Sequence, residues 1–152
     1  MRLHDAADCC SSESTGMAGA ILNEIAELLE HLANTGGATI LDLRGLPMTD
    51  ADRAALEDAL GQGEVTAVVD VAGPSEVWET SYAGVWWVRH RGADERITSE
   101  EIVVTRVPAI LLSHSDDVRA AASRLRETLA SDTTAGRTQM IDQGLEENSH
   151  VG

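Results

Sequence analysis

Glu79 and His90 are a carboxylate and an imidazole that could work together in general acid–base chemistry. They lie in a segment, Val77 to His90, that also holds Trp78, Trp86 and Trp87, with Tyr82 completing the chain's four aromatic residues. Tryptophan is the residue type that most often carries contact energy at protein interfaces, so the segment points to where contact is made. A second set, His4, Asp8, Cys9 and Cys10, offers thiolate and imidazole ligands suited to nickel, zinc or copper, at a spacing that matches no structural-zinc pattern. His4, Cys9 and Cys10 are thus weak metal candidates. His31, His90, His114 and His150 are widely spaced and read as solvated or core histidines. Gly61-Gln62-Gly63-Glu64 resembles the opening of a phosphate loop, but it follows a helical pattern and precedes a strand pattern, the reverse of the dinucleotide order. It reads as a helix C-cap and turn. No G-x-S-x-G elbow occurs.

These residues need elements to position them. Glu76 to Tyr82 and Val85 to Arg91 read as two strands, and a two-residue Ala83-Gly84 connection would set Thr80 opposite Trp87 and Glu79 opposite Val88. One face then carries Trp78, Thr80, Tyr82, Val85, Trp87 and Arg89; the other carries Val77, Glu79, Ser81, Trp86, Val88 and His90. The first set is the more apolar and is expected to face the core, leaving Trp86 exposed among Glu79, Ser81 and His90. The alternative is that the second face is also covered and Trp86 is structural.

The remaining periodicity predicts a helix over Ala18–Ala33, with Ile21, Leu22, Ile25, Leu28, Leu29 and Leu32 on one stripe and Gly36-Gly37 as its stop. A short strand follows at Thr39–Leu43. A helix N-capped by Thr49 then runs to about Leu60, with Asp50 and Asp52 in its first turn. Strands are expected at Glu64–Ala72, Glu76–Tyr82, Val85–Arg91 and about Glu100–Val107. A last helix after Ser115, with Val118, Ala121, Ala122, Leu125 and Leu129 on one stripe, closes the domain near Ala130. The expected class is α+β: a largely antiparallel sheet of about four to five strands with two or three helices on one face. Residues 1–16 are expected as a disordered arm, 17–130 as one domain and 131–152 as a disordered tail.

Composition narrows function. The chain has 152 residues and a net charge of −15. That charge argues against nonspecific nucleic-acid or anionic-membrane binding, which needs a basic face. All 11 basic residues are arginines, so Schiff-base and Walker-loop chemistry are excluded for want of an ammonium. The adjacent pair Cys9-Cys10 forms no ordinary disulfide. With no long apolar run and a polar N-terminus, the expectation is a cytoplasmic protein without membrane insertion or bound cofactor.

Five blocks together carry a family resemblance: Ile40-Leu41-Asp42-Leu43-Arg44-Gly45-Leu46-Pro47, Leu60-Gly61-Gln62-Gly63-Glu64-Val65, Glu79-Thr80, Gly84-Val85-Trp86-Trp87-Val88 and Val104-Thr105-Arg106-Val107-Pro108. From about Ile21 to Leu129 the chain resembles the HupH/HyaF-type hydrogenase expression proteins. The resemblance implies a non-enzymatic, chaperone-like accessory protein in the maturation of uptake [NiFe]-hydrogenase. Its implied partner is the hydrogenase small subunit or its precursor, with other accessory proteins as further partners. The competing reading is a metal-handling factor that holds nickel or iron during assembly. Glu79, Thr80, Trp86 and Trp87 match the signature and, with His90, are the expected partner-binding residues. No catalytic residue is implied.

Overall fold

The computed structural model describes residues 13–70 and 73–143. The chain divides into two compact units at Leu111/Leu112. The first unit holds α1 (Met17–Thr35), β1 (Thr39–Asp42), α2 (Asp50–Leu60), β2 (Thr66–Asp70), β3 (Pro74–Glu79), β4 (Val85–Arg91), β5 (Ile97–Val104) and a short 3-10 turn, Ala109–Leu111. The second holds α3 (Ser115–Gln143).

The local causes of these elements are visible in their ends and faces. α1 buries Ala18, Ile21, Ile25 and Leu32, the three- and four-residue spacing of one helical face, and stops where Gly36 adopts φ 74° and its N–H bonds to the Leu32 carbonyl. α2 opens on a capping box: Thr49 Oγ1 accepts the Asp52 N–H, and the Asp52 carboxylate accepts the Thr49 N–H. The same carboxylate takes the Ser14 and Thr15 hydroxyls and the Thr15 N–H, which fastens the segment before α1 to the start of α2. These donors, Thr15 first, hold the Asp52 carboxyl well below the usual carboxylate range.

The five strands form one antiparallel sheet in the order β1-β5-β4-β3-β2, so the class is α+β. On one face Leu43, Trp78, Val85, Trp87, Ile102 and Val104 form a core with the buried residues of α1 and with Leu56 and Leu60 of α2. On the other face Val77, Trp86, Val88 and Val103 form a smaller core to which Ile110 and Leu111 contribute. β5 runs Ile97–Val104 rather than Glu100–Val107, because Val104 is the last residue that both β1 and β4 reach, as partner of Thr39 and Val85.

α3 continues past Ala130, where the sequence reading ended it, to Gln143. Residues 131–143 contain no proline, and extending a helix already nucleated adds a hydrogen bond per residue at little cost. The stripe expected to close the domain is exposed at Val118 (56 %), Leu125 (62 %) and Leu129 (59 %). Among the described residues no helix is long and apolar enough to cross a membrane.

Candidate functional site

β3, β4 and β5 place four functional side chains on the face that α1 and α2 cover. The register sets Trp78 opposite Trp87, and Arg89 between Glu76 on β3 and Glu100 on β5. Parity does the rest: even-numbered residues of β3 and β5 and odd-numbered residues of β4 share this face. The Trp78 and Trp87 rings stack with centroids 5.6 Å apart and 7° between planes. The Arg89 guanidinium sits 5.1 Å from the Trp78 centroid and 6.0 Å from that of Trp87, within cation–π range.

Glu100 is fully buried. Its Oε1 accepts from Trp87 Nε1 at 3.0 Å, from Arg89 Nε at 2.9 Å and from Arg89 Nη2 at 2.8 Å. Its Oε2 is ion-paired with Arg53 of α2. A carboxylate in an apolar core is tolerated only when paired and hydrogen-bonded, and here two guanidinium groups and an indole N–H meet that demand. Arg89 also reaches Glu57 of α2 at 3.5 Å and Glu76 at 3.9 Å. The network ties α2 to the sheet by charge beside the apolar contacts of Leu56 and Leu60.

Beside α2, the edge strand β2 and its neighbour β3 leave an open groove of about 620 Å³. Its floor is Trp78 and Arg89, its helix side is Glu57, Asp58 and Gln62, and its strand side is Thr66, Val68 and Glu76. Val68 is 68 % exposed, an apolar side chain facing solvent on an edge strand.

The hairpin residues singled out in the sequence occupy different places. Trp86, expected to be exposed, is only 5 % exposed. The second face of the sheet has its own small core, and Trp86 Nε1 donates to the Thr105 carbonyl at 3.0 Å. Trp87 is fully buried and Thr80 nearly so. Thr80 Oγ1 accepts the Tyr82 N–H and Glu79 Oε1 accepts the Gly84 N–H, so both close the hairpin loop. The loop is longer than the expected two residues: Thr80 N–H bonds to the Val85 carbonyl and Glu79 pairs with Trp86, a shift of two in register. A two-residue shift preserves parity, so the division of faces holds although the pairs change. His90 pairs with Ser75, and its Nδ1 lies 2.7 Å from Ser75 Oγ. Glu79 and His90 therefore sit at opposite ends of the β3–β4 ladder and form no acid–base pair. Gly61 and Gly63 make the expected C-cap and turn, with N–H groups on the Glu57 and Glu79 carbonyls.

His4, Asp8, Cys9 and Cys10 lie outside the described residues. Among the described residues no group of three or more histidine, cysteine, aspartate or glutamate side chains is placed to hold a metal ion.

Sequence reasoning missed the network of Arg53, Arg89 and Glu100, together with Glu57, Glu76 and Trp78 as groove residues. One signal was available: Glu100 stands in parity with Ile102 and Val104, so an acid occupies a core-facing strand position. Such an acid needs a cation beside it.

A domain of this topology with these blocks in this order belongs to a defined class. Residues 16–131 match the family described as HupH hydrogenase expression protein, C-terminal conserved region, and the chain belongs to that family. The hydrogenase expression/formation protein HupQ of Azotobacter chroococcum mcd 1 is 30 % identical over 112 residues, covering 72 % of this chain and 39 % of that protein. HupH of Rhodobacter capsulatus is 32 % identical over 107 residues, covering 69 % of this chain and 39 % of that protein. The solved structure of the hydrogenase expression protein HupH from Thiobacillus denitrificans ATCC 25259 superposes with a TM-score of 0.76 at 40 % identity, covering 78 % of this chain and 99 % of that one. The chain thus spans about two fifths of the length of the curated relatives it matches.

Proposed function

We propose that this domain is a non-enzymatic, chaperone-like accessory module in hydrogenase maturation, and that it binds an immature hydrogenase subunit, the small subunit or its precursor. The observation that carries the proposal is the family match over residues 16–131. The site geometry supports it. The charged groups beside the groove are committed to one another, Arg89 to Glu100, Glu57 and Glu76, and Arg91 to Glu76. Such an arrangement presents a shaped surface. Glu79, Thr80, Trp86 and Trp87 serve this surface from within by setting the hairpin, His90 by its bond to Ser75, and contact with the partner falls to the groove beside Trp78.

The test is a pull-down with the tagged full chain from cells expressing a hydrogenase operon, with metal quantified on the same eluate. Recovery of the small-subunit precursor is the expected result. An eluate without any hydrogenase subunit overturns the proposal. Stoichiometric metal without a subunit, lost on deletion of residues 1–15, transfers the role to metal handling by His4, Cys9 and Cys10.

A further inference from the structure

β2 is an edge strand, so one side of its backbone faces away from the sheet. The Glu79 N–H bonds to the Val65 carbonyl at 2.9 Å, so Val65 faces β3. In an antiparallel ladder alternate residues bond to the same neighbour, so Ala67 and Val69 also face β3, while Thr66, Val68 and Asp70 turn their N–H and C=O groups away from the sheet. Among the described residues no strand lies beyond β2. The side chains of Thr66 and Val68 line the groove, so the free backbone edge and the apolar floor at Trp78 belong to one surface.

The charge of that surface is one-sided. Glu57, Asp58 and Glu76 rim it; Arg89 is shared among Glu100, Glu57 and Glu76, and Arg91 holds Glu76, which leaves exposed Asp58, with Glu57 beside it, as the carboxylates turned to a newcomer. Natural edge strands are usually blunted by a lysine, a proline or a bulge; β2 reads Thr-Ala-Val-Val-Asp and carries none of these.

We propose that the groove receives an extended segment of a partner polypeptide, added to β2 as a sixth strand, with an apolar side chain against Val68 and an arginine or lysine two residues away reaching Asp58 and Glu57. Side chains at i and i+2 of a strand share a face, which sets that spacing. The mode is strand addition, in which backbone bonds supply affinity and side-chain pockets supply selectivity. A second copy of this chain is disfavoured as occupant, because each copy carries −15 and its own β2 would bring Asp70 against the carboxylates of the groove. The C-terminal residues 144–152 contain two glutamates and no arginine, and are disfavoured for the same reason. The inference deepens the accessory reading by naming the chemistry of the captured segment, and rests on that reading for the partner's identity.

The test uses the full chain, isotopically labelled, and the acetylated peptide Thr-Val-Thr-Arg-Thr-Val-Thr, with a control in which glutamate replaces arginine. The arginine peptide is expected to shift the amide signals of Thr66, Val68 and Asp70, and its affinity should fall with rising salt. Val68→Pro removes one outward N–H without touching the β3 ladder, and should weaken binding about fivefold or more. Asp58→Asn, on an exposed residue, should weaken it about threefold and flatten the salt dependence. Equal binding of the glutamate peptide, shifts that map away from β2, or no effect of either variant overturns the inference. In the hydrogenase pull-down, wild-type recovery of the subunit by both variants overturns the groove assignment and leaves the accessory reading standing. No subunit on the wild-type protein, with peptide binding intact, does the reverse.

Discussion

Arg89 clasps Glu100 by two nitrogens, Nε at 2.9 Å and Nη2 at 2.8 Å, while its guanidinium lies over the Trp78 ring. One side chain thus neutralises the only fully buried glutamate among the described residues and forms the floor of the groove. Replacing Glu100 with alanine takes the shared anion from Arg53 and Arg89 and leaves the Trp87 N–H without its acceptor. The expected cost is about 3–5 kcal/mol, the usual penalty for breaking a buried ion pair from one side. Urea denaturation of Glu100→Ala measures it, and a loss below about 1 kcal/mol would mean that water reaches the cluster.

Trp86→Ala distinguishes a buried tryptophan from a contact residue. The side chain fills the smaller core and bonds to the Thr105 carbonyl, so truncation should destabilise the domain by about 3–5 kcal/mol. Thermal unfolding reads this directly. An unchanged melting temperature would place Trp86 at the surface.

Asp52 gives a pH dependence with a defined sign. Its folded carboxyl is held well below the ordinary value of 3.8 by the Thr15 hydroxyl, then by Thr49 and Ser14, with burial acting in the opposite direction. A depressed folded pKa means that the contribution is complete above the unfolded pKa and is lost as pH falls through the folded one. The melting-temperature gap between wild type and Asp52→Asn should therefore be constant from pH 7 to about pH 5 and shrink towards pH 2. A gap that widens on acidification contradicts the assignment. Thr49→Ala, which removes the N-cap oxygen, should cost about 1 kcal/mol.

Gly63 lies against the hairpin loop. A Cβ at this position would stand 2.5 Å from the Thr80 carbonyl oxygen and 3.1 Å from that of Glu79, backbone atoms that cannot swing aside. Gly63→Ala should cost about 1–3 kcal/mol through displaced backbone. A melting curve identical to wild type would show that the turn gives way freely.

Much of this protein is written in local pattern. The α1 stripe, the Thr49 cap with its acids in the first turn, the Gly61 stop and the antiparallel run of strands all depend on residues within a few positions of one another. The division of hairpin faces was equally legible, because strand parity survives any even error in register. The five signature blocks sufficed for the family.

The exposure of Trp86, the separation of Glu79 from His90 and the site itself were settled elsewhere. A strand sequence says which residues share a face but not whether that face is covered. The cover over Trp86 includes Ile110 and Leu111, more than twenty positions downstream. The loop closed by Thr80 and Glu79 set the register that parts Glu79 from His90. Glu100 meets Arg53 only because α2 packs on the Trp87 face of the sheet, a contact between residues 47 positions apart. The sequence by itself determined the elements and the family, since those follow from neighbouring residues; the buried charge network and the open groove beside it were decided by tertiary packing, which alone brings distant side chains into one dielectric environment.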